Sequence, residues 1–339
     1  MTESPSLEMG RPTLKTIAAE TGLAIATVSR ALKDAPDIGE ATKLRVRAAA
    51  LRLGYRPNRA GVRLRTGKTN VIALVLSTEA DIMNHTSRLI YSIAAELRGT
   101  AYHLVVMPFF PDEDPMAPIR YIVETESADG IIMNQTTADD PRVVYMAGQG
   151  FPFATHGRTS LDIDHAYFDY DNEAFARIAV RTLAARKHRS LLLIAPPRSQ
   201  NYSRHMVKGF VEECTALGLR AEILDSADSD SGADRIEEEM ALRFAAHPAP
   251  DALVVGSTTA AMASVTGAER AGFQIGVDFD VVAKEAISFL KRFRKEIIVL
   301  REDVSQAGEF LARAVIAAIE RSSPEQGQFI ETPTEASIN

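Results

Sequence analysis

The stretch "TLKTIAAETGLAIATVSRALKD" (residues 13–34) decides the fold of the N-terminal part of the chain. Apolar residues recur there at the i, i+3, i+4 spacing of an amphipathic helix, at Leu14, Ile17 and Ala18. Thr13 can cap this helix, and Gly22 can adopt the left-handed conformation that ends it. A second short helix follows, with Val28 and Leu32 facing inward. Two short helices joined by a Gly-containing turn predict a helix-turn-helix unit.

A third helix, at about Glu40–Leu53, is expected to close a small core with Leu44, Val46, Ala49, Ala50 and Leu53. The N-terminal end of the second helix, which enters the major groove in this motif, presents Ile25, Ala26, Thr27, Ser29 and Arg30. Arg30 has the paired donors that recognise guanine. Residues 11–56 are therefore predicted to form a helix-turn-helix DNA-binding domain.

The charge of the chain is divided unevenly. Residues 11–68 contain 13 Lys and Arg against 4 Asp and Glu, a net charge of +9. The 271 residues that follow contain 25 basic and 39 acidic side chains, a net charge of −14. A basic head on an acidic body is typical of a nucleic-acid reader joined to a separate domain.

The segment "YRPNRAGVRLRTGKT" (residues 55–69) has five basic side chains and no acidic one. A helix of about two turns is too short to be stable alone in water. Gly61 lowers its stability by about a further 1 kcal/mol relative to Ala, and the arginines repel one another. A segment of this kind should therefore hardly fold alone.

Strand-like and helix-like segments alternate after Val71. Apolar runs such as "VIALVL" (71–76), "GIIMN" (130–134) and "ALVVGS" (252–257) are typical of strands buried on both faces. Two such alternating sets predict two parallel α/β sheets with a cleft between them. Residues 70–339 are expected to form this core, with lobe 1 at about 70–168 plus 288–320. Lobe 2 is expected at about 169–287 plus the C-terminal tail.

Several classes of function are excluded by what the sequence lacks. No apolar run reaches about 18 residues and no signal core is present, so a cytoplasmic protein without a membrane partner is expected. The chain contains no P-loop, GxGxxG or HExxH motif, and its seven His are scattered. We therefore expect no enzyme activity, no cofactor and no metal. The single Cys214 is expected to be a reduced core thiol.

The motifs "TVSRAL", "LGYRPN" and "LRTGKT", at these separations, resemble the LacI/GalR family of bacterial transcription regulators. The resemblance implies a homodimer that binds a pseudo-palindromic double-stranded DNA operator. It also implies that residues 57–69 are a hinge helix and linker. The hinge helices of the dimer are expected to fold together in the minor groove, where Leu64 wedges between base pairs. DNA contacts are thus expected from the second helix and from Thr13, Asn58, Arg59, Gly61 and Leu64.

The same resemblance implies a periplasmic-binding-protein-like core that binds a small effector, most often a sugar. Matching positions make Arg204 a ligand for hydroxyl groups and place Asp171 and Asn172 at the border of the site. The full expected set is Asn84, Arg158, Asp171, Asn172, Tyr202, Arg204, Ser257, Lys284 and Glu285.

Four departures from the family pattern affect these expectations. Ala24 stands where the family usually has a capping Ser, and Gly61 stands where it has Ala. In the core, Ser257 and Thr258 replace the usual carboxylate, and "AKE" (283–285) replaces Gly-Phe-Asp. A sugar or glycoside effector that releases a repressor is the first interpretation. A corepressor of the purine or sugar-phosphate class is the alternative, and a transport binding protein is disfavoured by the basic head.

Overall fold

The computed structural model describes residues 12–55, 63, 67–77, 83–110, 112–286, 288–321 and 327–334. The chain divides into two compact units, Met1–Thr69 and Asn70–Asn339. The predicted hinge residues Asn58, Arg59, Gly61 and Leu64 lie outside the described residues. The side chain of Asn84 does so as well.

The first unit contains three helices, α1 (Leu14–Thr21), α2 (Ile25–Leu32) and α3 (Glu40–Arg52), within its described part. Thr13 caps α1 as predicted, in a reciprocal capping box with Thr16. Gly22 ends the helix at φ +66°, which is the left-handed region. The buried core of this unit consists of Ile17, Val28, Ala31, Val46, Ala49 and Ala50.

The prediction that Leu44 belongs to this core is wrong. Its side chain is 63% exposed, whereas the neighbouring Lys43 is buried and its ammonium bonds Glu40 at 2.8 Å. The helical period explains the exchange, because Lys43 lies three residues before Val46 and shares its face. Leu44 lies two residues before Val46 and so faces away from the core. Leu32 and Leu53 are only partly buried against the cluster.

The second unit is built on two parallel sheets. Among the described residues, the first sheet has the order β11-β5-β4-β3-β1-β2. Its strands are β1 (Val71–Ser77), β2 (His103–Phe109), β3 (Gly130–Met133), β4 (Phe153–His156), β5 (Ala166–Tyr170) and β11 (Gln328–Glu331). The second sheet has the order β10-β9-β8-β6-β7. Its strands are β6 (Ser190–Ile194), β7 (Arg220–Ile223), β8 (Ala252–Val255), β9 (Asp280–Glu285) and β10 (Ile298–Arg301).

Helices cover both faces of these sheets. They are α4 (Met83–Glu96), α5 (Met116–Thr125), α6 (Pro141–Gly148), α7 (Asn172–Ala185), α8 (Asn201–Ala216), α9 (Ala233–Ala245), α10 (Thr258–Arg270), α11 (Leu290–Phe293) and α12 (Val304–Glu320). Each sheet has a buried apolar cluster on either face. This arrangement explains why the central strands are apolar at successive positions. In the described part of the chain, no helix is long and apolar enough to cross a membrane.

The structure corrects the predicted lobe boundaries at three strands. β10, which the sequence analysis assigns to lobe 1, pairs with β9 in the second sheet. β11, assigned to lobe 2, pairs with β5 in the first sheet, and β5 itself extends beyond residue 168. An apolar run identifies a strand but not its pairing partner. The sequence therefore did not show to which sheet each edge strand belongs. The helix α12 packs on the first lobe, as predicted.

Candidate functional site

The second unit has a cavity at the carboxyl ends of strands from both sheets. Asn134 and Gln135 follow β3, while Gly157 follows β4 and Gly256 follows β8. Pro196 lies two residues beyond β6. Ligands of parallel α/β sheets bind at this edge, because the strand ends leave polar groups unpaired between the lobes. The position therefore identifies the cavity as a candidate ligand site.

Lys284, near the end of β9, is the central cation of this cavity. Its Nζ lies 2.9 Å from Glu302 Oε2 and donates to Asn172 Oδ1 at 3.3 Å. The same ammonium lies 5.3 Å from the ring centroid of Tyr170 and 5.6 Å from that of Tyr202. Lys284 is thus held by one carboxylate, one amide and two aromatic faces.

Glu302 is a buried carboxylate at the point where the chain passes from β10 to α12. Its Oε1 lies 3.4 Å from His85 Nε2 and 3.5 Å from His156 Nε2. Burial alone would raise the pKa of Glu302, but Lys284 and His85 hold that pKa well below its usual value. Glu302 is therefore ionised at neutral pH, with a cation on one oxygen and two imidazoles on the other.

The two imidazoles lie in contact with each other. The ring centroids of His85 and His156 are 5.0 Å apart. Burial and the neighbouring His85 lower the pKa of His156 to about 3. His156 is consequently neutral at neutral pH, and one of its ring nitrogens carries a lone pair.

Asp169, in β5, is a second buried acid on the cavity wall. Burial raises the pKa of Asp169 to about 7, even though Arg158 Nε approaches its Oδ2 to 3.1 Å. That oxygen has no partner with hydrogen-bond geometry among the described residues. The ion pair therefore compensates only part of the desolvation of the carboxylate.

Four of the nine predicted effector residues line this cavity: Asn172, Tyr202, Ser257 and Lys284. Ser257 also caps α10, because its Oγ accepts from Ala260 N at 3.2 Å. Arg158 lies behind the wall, where it contacts Asp169. Asp171 accepts from Ala174 N at 2.9 Å and caps α7 without lining the cavity. The side chain of Asn84 is not described.

The structure does not bring Arg204 or Glu285 into the cavity. Arg204 is exposed on α8 and lines a separate surface depression with Arg198 and Asp225. Its inward-facing neighbour Ser203 is buried, so the helical phase turns Arg204 away. Glu285 is buried, and its Oε1 accepts from the backbone N–H groups of Phe289 and Leu290 at 2.6 Å.

The cavity also contains polar side chains that the sequence analysis did not select. They are Asn134, Gln135, Asp169, Ser229, Asp230, Thr259 and Glu302, together with His85 and His156. Several of them end a strand or directly follow one, as Asn134 follows β3 and Glu302 follows β10. The first polar residue after each apolar run was therefore a usable signal. Predicting that Glu302 lines the cavity would have required knowing the sheet to which β10 belongs.

The helix-turn-helix unit presents part of the predicted reading surface. Ile25, Ala26 and Arg30 are exposed on α2, and Arg30 pairs with Asp37. Thr27 and Ser29 are half-buried. As Ala24 implies, α2 begins without a side-chain cap. The exposed end of α2 leaves its first N–H groups available to an anion.

Family models match both units of the chain. Residues 13–58 match the model for bacterial regulatory proteins of the lacI family. Residues 180–337 match the model for a periplasmic binding protein-like domain.

Two curated relatives are similar over nearly the whole chain. The HTH-type transcriptional regulator AglR of Rhizobium meliloti (strain 1021) is 32% identical over 90% of this chain and 87% of its own length. The HTH-type transcriptional regulator RafR of Escherichia coli is 30% identical over 94% of this chain and 96% of its own length.

Solved structures share the fold at lower identity. The lac repressor dimer bound to operator and the anti-inducer ONPF has a TM-score of 0.84 at 18% identity, covering 96% of this chain and 97% of its own. The complex of the transcriptional regulator CelR with cellobiose has a TM-score of 0.67 at 22% identity, covering 96% and 98%.

The burial of Asp169 predicts a pH-dependent stability. With a pKa of about 7 in the folded chain and 3.8 as the ordinary value, the folded state binds more protons than the unfolded state between these values. Stability therefore falls as pH rises through this window, by on the order of 3–4 kcal/mol. The Asp169→Asn side chain does not ionise, so the variant lacks this loss. The melting temperature of the variant minus that of wild type should therefore be larger at about pH 8 than at about pH 5.

The exposed Asp162, in the loop before β5, provides the matched control. Asp162→Asn should change the melting temperature equally at both pH values. The same result for Asp169→Asn would contradict the assignment of Asp169 as a destabilised buried acid.

Proposed function

Because the chain belongs to the LacI family of bacterial transcription regulators, we propose that it is a dimeric repressor that leaves a pseudo-palindromic operator when a small polyhydroxylated ligand fills the core cavity. The family consists of DNA-binding regulators, not enzymes. The observation that carries the proposal is the pairing, in one chain, of a basic helix-turn-helix unit with a strand-end cavity lined by polar side chains. A regulator of this kind works in the cytosol, where the DNA is.

In this proposal residues 11–56 read the operator, residues 57–69 form the hinge, and residues 70–339 bind the effector and dimerise. Ile25 and Ala26 are apolar and exposed on α2, which favours contact with thymine methyl groups. Arg30 supplies donors for guanine once DNA competes with Asp37 for it. We assign contacts with the adjacent DNA phosphate backbone to Thr13, Thr27 and Ser29.

The cavity chemistry favours a sugar or glycoside. Asp169, Asp230 and Asn134 offer oxygen acceptors for hydroxyl groups, and the partly exposed Tyr202 offers an aromatic ring for a pyranose. One structural relative, the transcriptional regulator CelR, is a complex with cellobiose, which is a disaccharide. A phosphorylated effector is disfavoured, because Lys284 is already paired with Glu302 at 2.9 Å.

Dimerisation is proposed to use the open edge of the first sheet. β2 pairs only with β1 among the described strands, and its Val105 and Val106 are 41% and 39% exposed. Phe110, directly after β2, and Tyr91, on the helix α4 that packs on this strand, are 58% and 67% exposed. Exposed apolar side chains at a sheet edge mark an interaction surface, and a two-fold operator requires a two-fold dimer.

The hinge prediction is tested by Leu64→Ala. An operator is first selected from a random duplex library, and its affinity is then measured by fluorescence anisotropy. Loss of the wedge should weaken operator binding about tenfold or more, because a minor-groove wedge contributes on the order of 1–3 kcal/mol through the bend that it stabilises. Leu44→Ala, an exposed leucine on α3, should retain wild-type affinity. Equal affinity of the Leu64 variant and wild type would contradict the hinge assignment.

The effector class is tested by a thermal-shift screen of the full chain against sugars, glycosides, sugar phosphates and purines. A ligand at about 100 times its dissociation constant stabilises the folded state by roughly 2.7 kcal/mol. We expect the largest shift from an oligosaccharide or glycoside. Tyr202→Ala should reduce that shift, whereas Tyr121→Ala, an exposed tyrosine on α5, should not. A shift with purines or sugar phosphates alone would support the corepressor alternative instead.

The dimer surface is tested by Val106→Glu. A carboxylate buried in an apolar interface loses its hydration, so the variant should sediment as a monomer at concentrations where wild type is a dimer. Val277→Glu, on an exposed valine of the second lobe, is the matched charge control and should remain dimeric. A dimeric Val106→Glu protein would exclude this edge as the interface.

A further inference from the structure

We propose that His85, His156 and Glu302 bind a divalent transition-metal ion of the Zn²⁺ class in the wall of the core cavity. The three residues come from α4, from the last position of β4 and from the segment after β10. One donor atom from each lies within 4.8 Å of the others. The inference goes beyond the proposed repressor function, because metal binding is measurable without an effector or an operator.

The spacing of the donor atoms fits a metal better than it fits hydrogen bonds. Glu302 Oε1 lies 3.4 Å from His85 Nε2 and 3.5 Å from His156 Nε2. Good hydrogen bonds between nitrogen and oxygen are about 2.7–3.2 Å long. A tetrahedral ion with bonds of about 2.0–2.2 Å separates its ligand atoms by roughly 3.3–3.6 Å. Both separations from Glu302 Oε1 therefore match edges of such a tetrahedron, and the three donor atoms all lie within 4.8 Å of one another.

The cluster also contains buried polar atoms that need a partner. The side chain of His156 is 10% exposed, and its Nε2 has no hydrogen-bond partner among the described residues. This nitrogen faces Glu302 Oε1, on the side where the ion would sit. A buried polar atom without a partner is destabilising, and coordination would give this nitrogen a partner.

The donor set selects the class of metal. Two imidazoles and one carboxylate suit Zn²⁺ and its neighbours Co²⁺ and Ni²⁺, whereas Mg²⁺ and Ca²⁺ prefer all-oxygen sites. Lys284 holds Glu302 Oε2 at 2.9 Å, so Oε1 is the coordinating oxygen. A fourth position remains for water or for a hydroxyl of a ligand, since all three residues line the cavity.

The position of Glu302 gives such an ion a mechanical consequence. Glu302 lies between β10 of the second sheet and α12, which packs on the first lobe. His85 and His156 both belong to the first lobe. A bound ion would therefore tie the first lobe to a strand that leaves the second, at the place where the lobes are connected.

Titration of the untagged full chain tests the site. After removal of metals with EDTA, Co²⁺ is added as a spectroscopic probe and Zn²⁺ affinity is measured by competition. We expect one ion per chain, visible absorption typical of tetrahedral Co²⁺ with nitrogen and oxygen ligands, and no comparable binding of Mg²⁺. Cys214 is buried and belongs to another cluster, so thiolate bands are not expected.

Variants separate this site from adventitious binding. His85→Ala and His156→Ala should each weaken Zn²⁺ binding at least about tenfold, since even residues that only support a metal ligand change affinity by about 10–100-fold. His205→Ala, next to Arg158 and outside the cluster, should bind as wild type does. Circular dichroism spectra are recorded to check that each variant is folded. The proposal is overturned if wild type binds no ion, or if folded His85→Ala and His156→Ala proteins bind it unchanged.

Discussion

The buried contact between Lys284 and Glu302 is the interaction on which the core cavity depends. It joins the end of β9 to the segment after β10, so it fixes the wall where the chain leaves the second sheet. A buried charge is tolerated only when it is paired, and here Lys284 also donates to Asn172 while Glu302 lies beside the two histidines. Removing either partner would leave the charge of the other buried and uncompensated.

In the proposed function, ligand binding and DNA binding are assigned to separate units of the chain, so their coupling requires a change within the core. The cavity is formed by strand ends of both sheets, and a ligand that contacts both favours one arrangement of the lobes. Coupling of this kind is worth about 1–3 kcal/mol, which corresponds to a change in operator affinity of roughly 5–150-fold. In the proposed function the predicted hinge segment receives this coupling, because a short basic helix is unstable alone in water.

The sequence predicted the fold class, the helix-turn-helix unit and the alternation of strands and helices, because capping, glycine and apolar-run signals are local. It failed where the outcome depends on distant pairing. β10 was assigned to the wrong lobe, and so was the C-terminal tail that contains β11, since a local sequence pattern does not encode a pairing partner. Leu44 was predicted to be buried, but its position on the helix turns its side chain away from the core. At the site, Lys284 and Ser257 were predicted from matching positions, but the His85–His156–Glu302 cluster joins residues far apart in the chain and has no sequence signature.

In the proposed function, filling the core cavity weakens operator binding. The most direct test is an anisotropy titration of the selected operator with wild-type protein, with and without the sugar that stabilises the chain most. We expect operator affinity to fall by about tenfold or more at saturating sugar. Unchanged affinity would contradict the coupling between the two units, and increased affinity would make the ligand a corepressor.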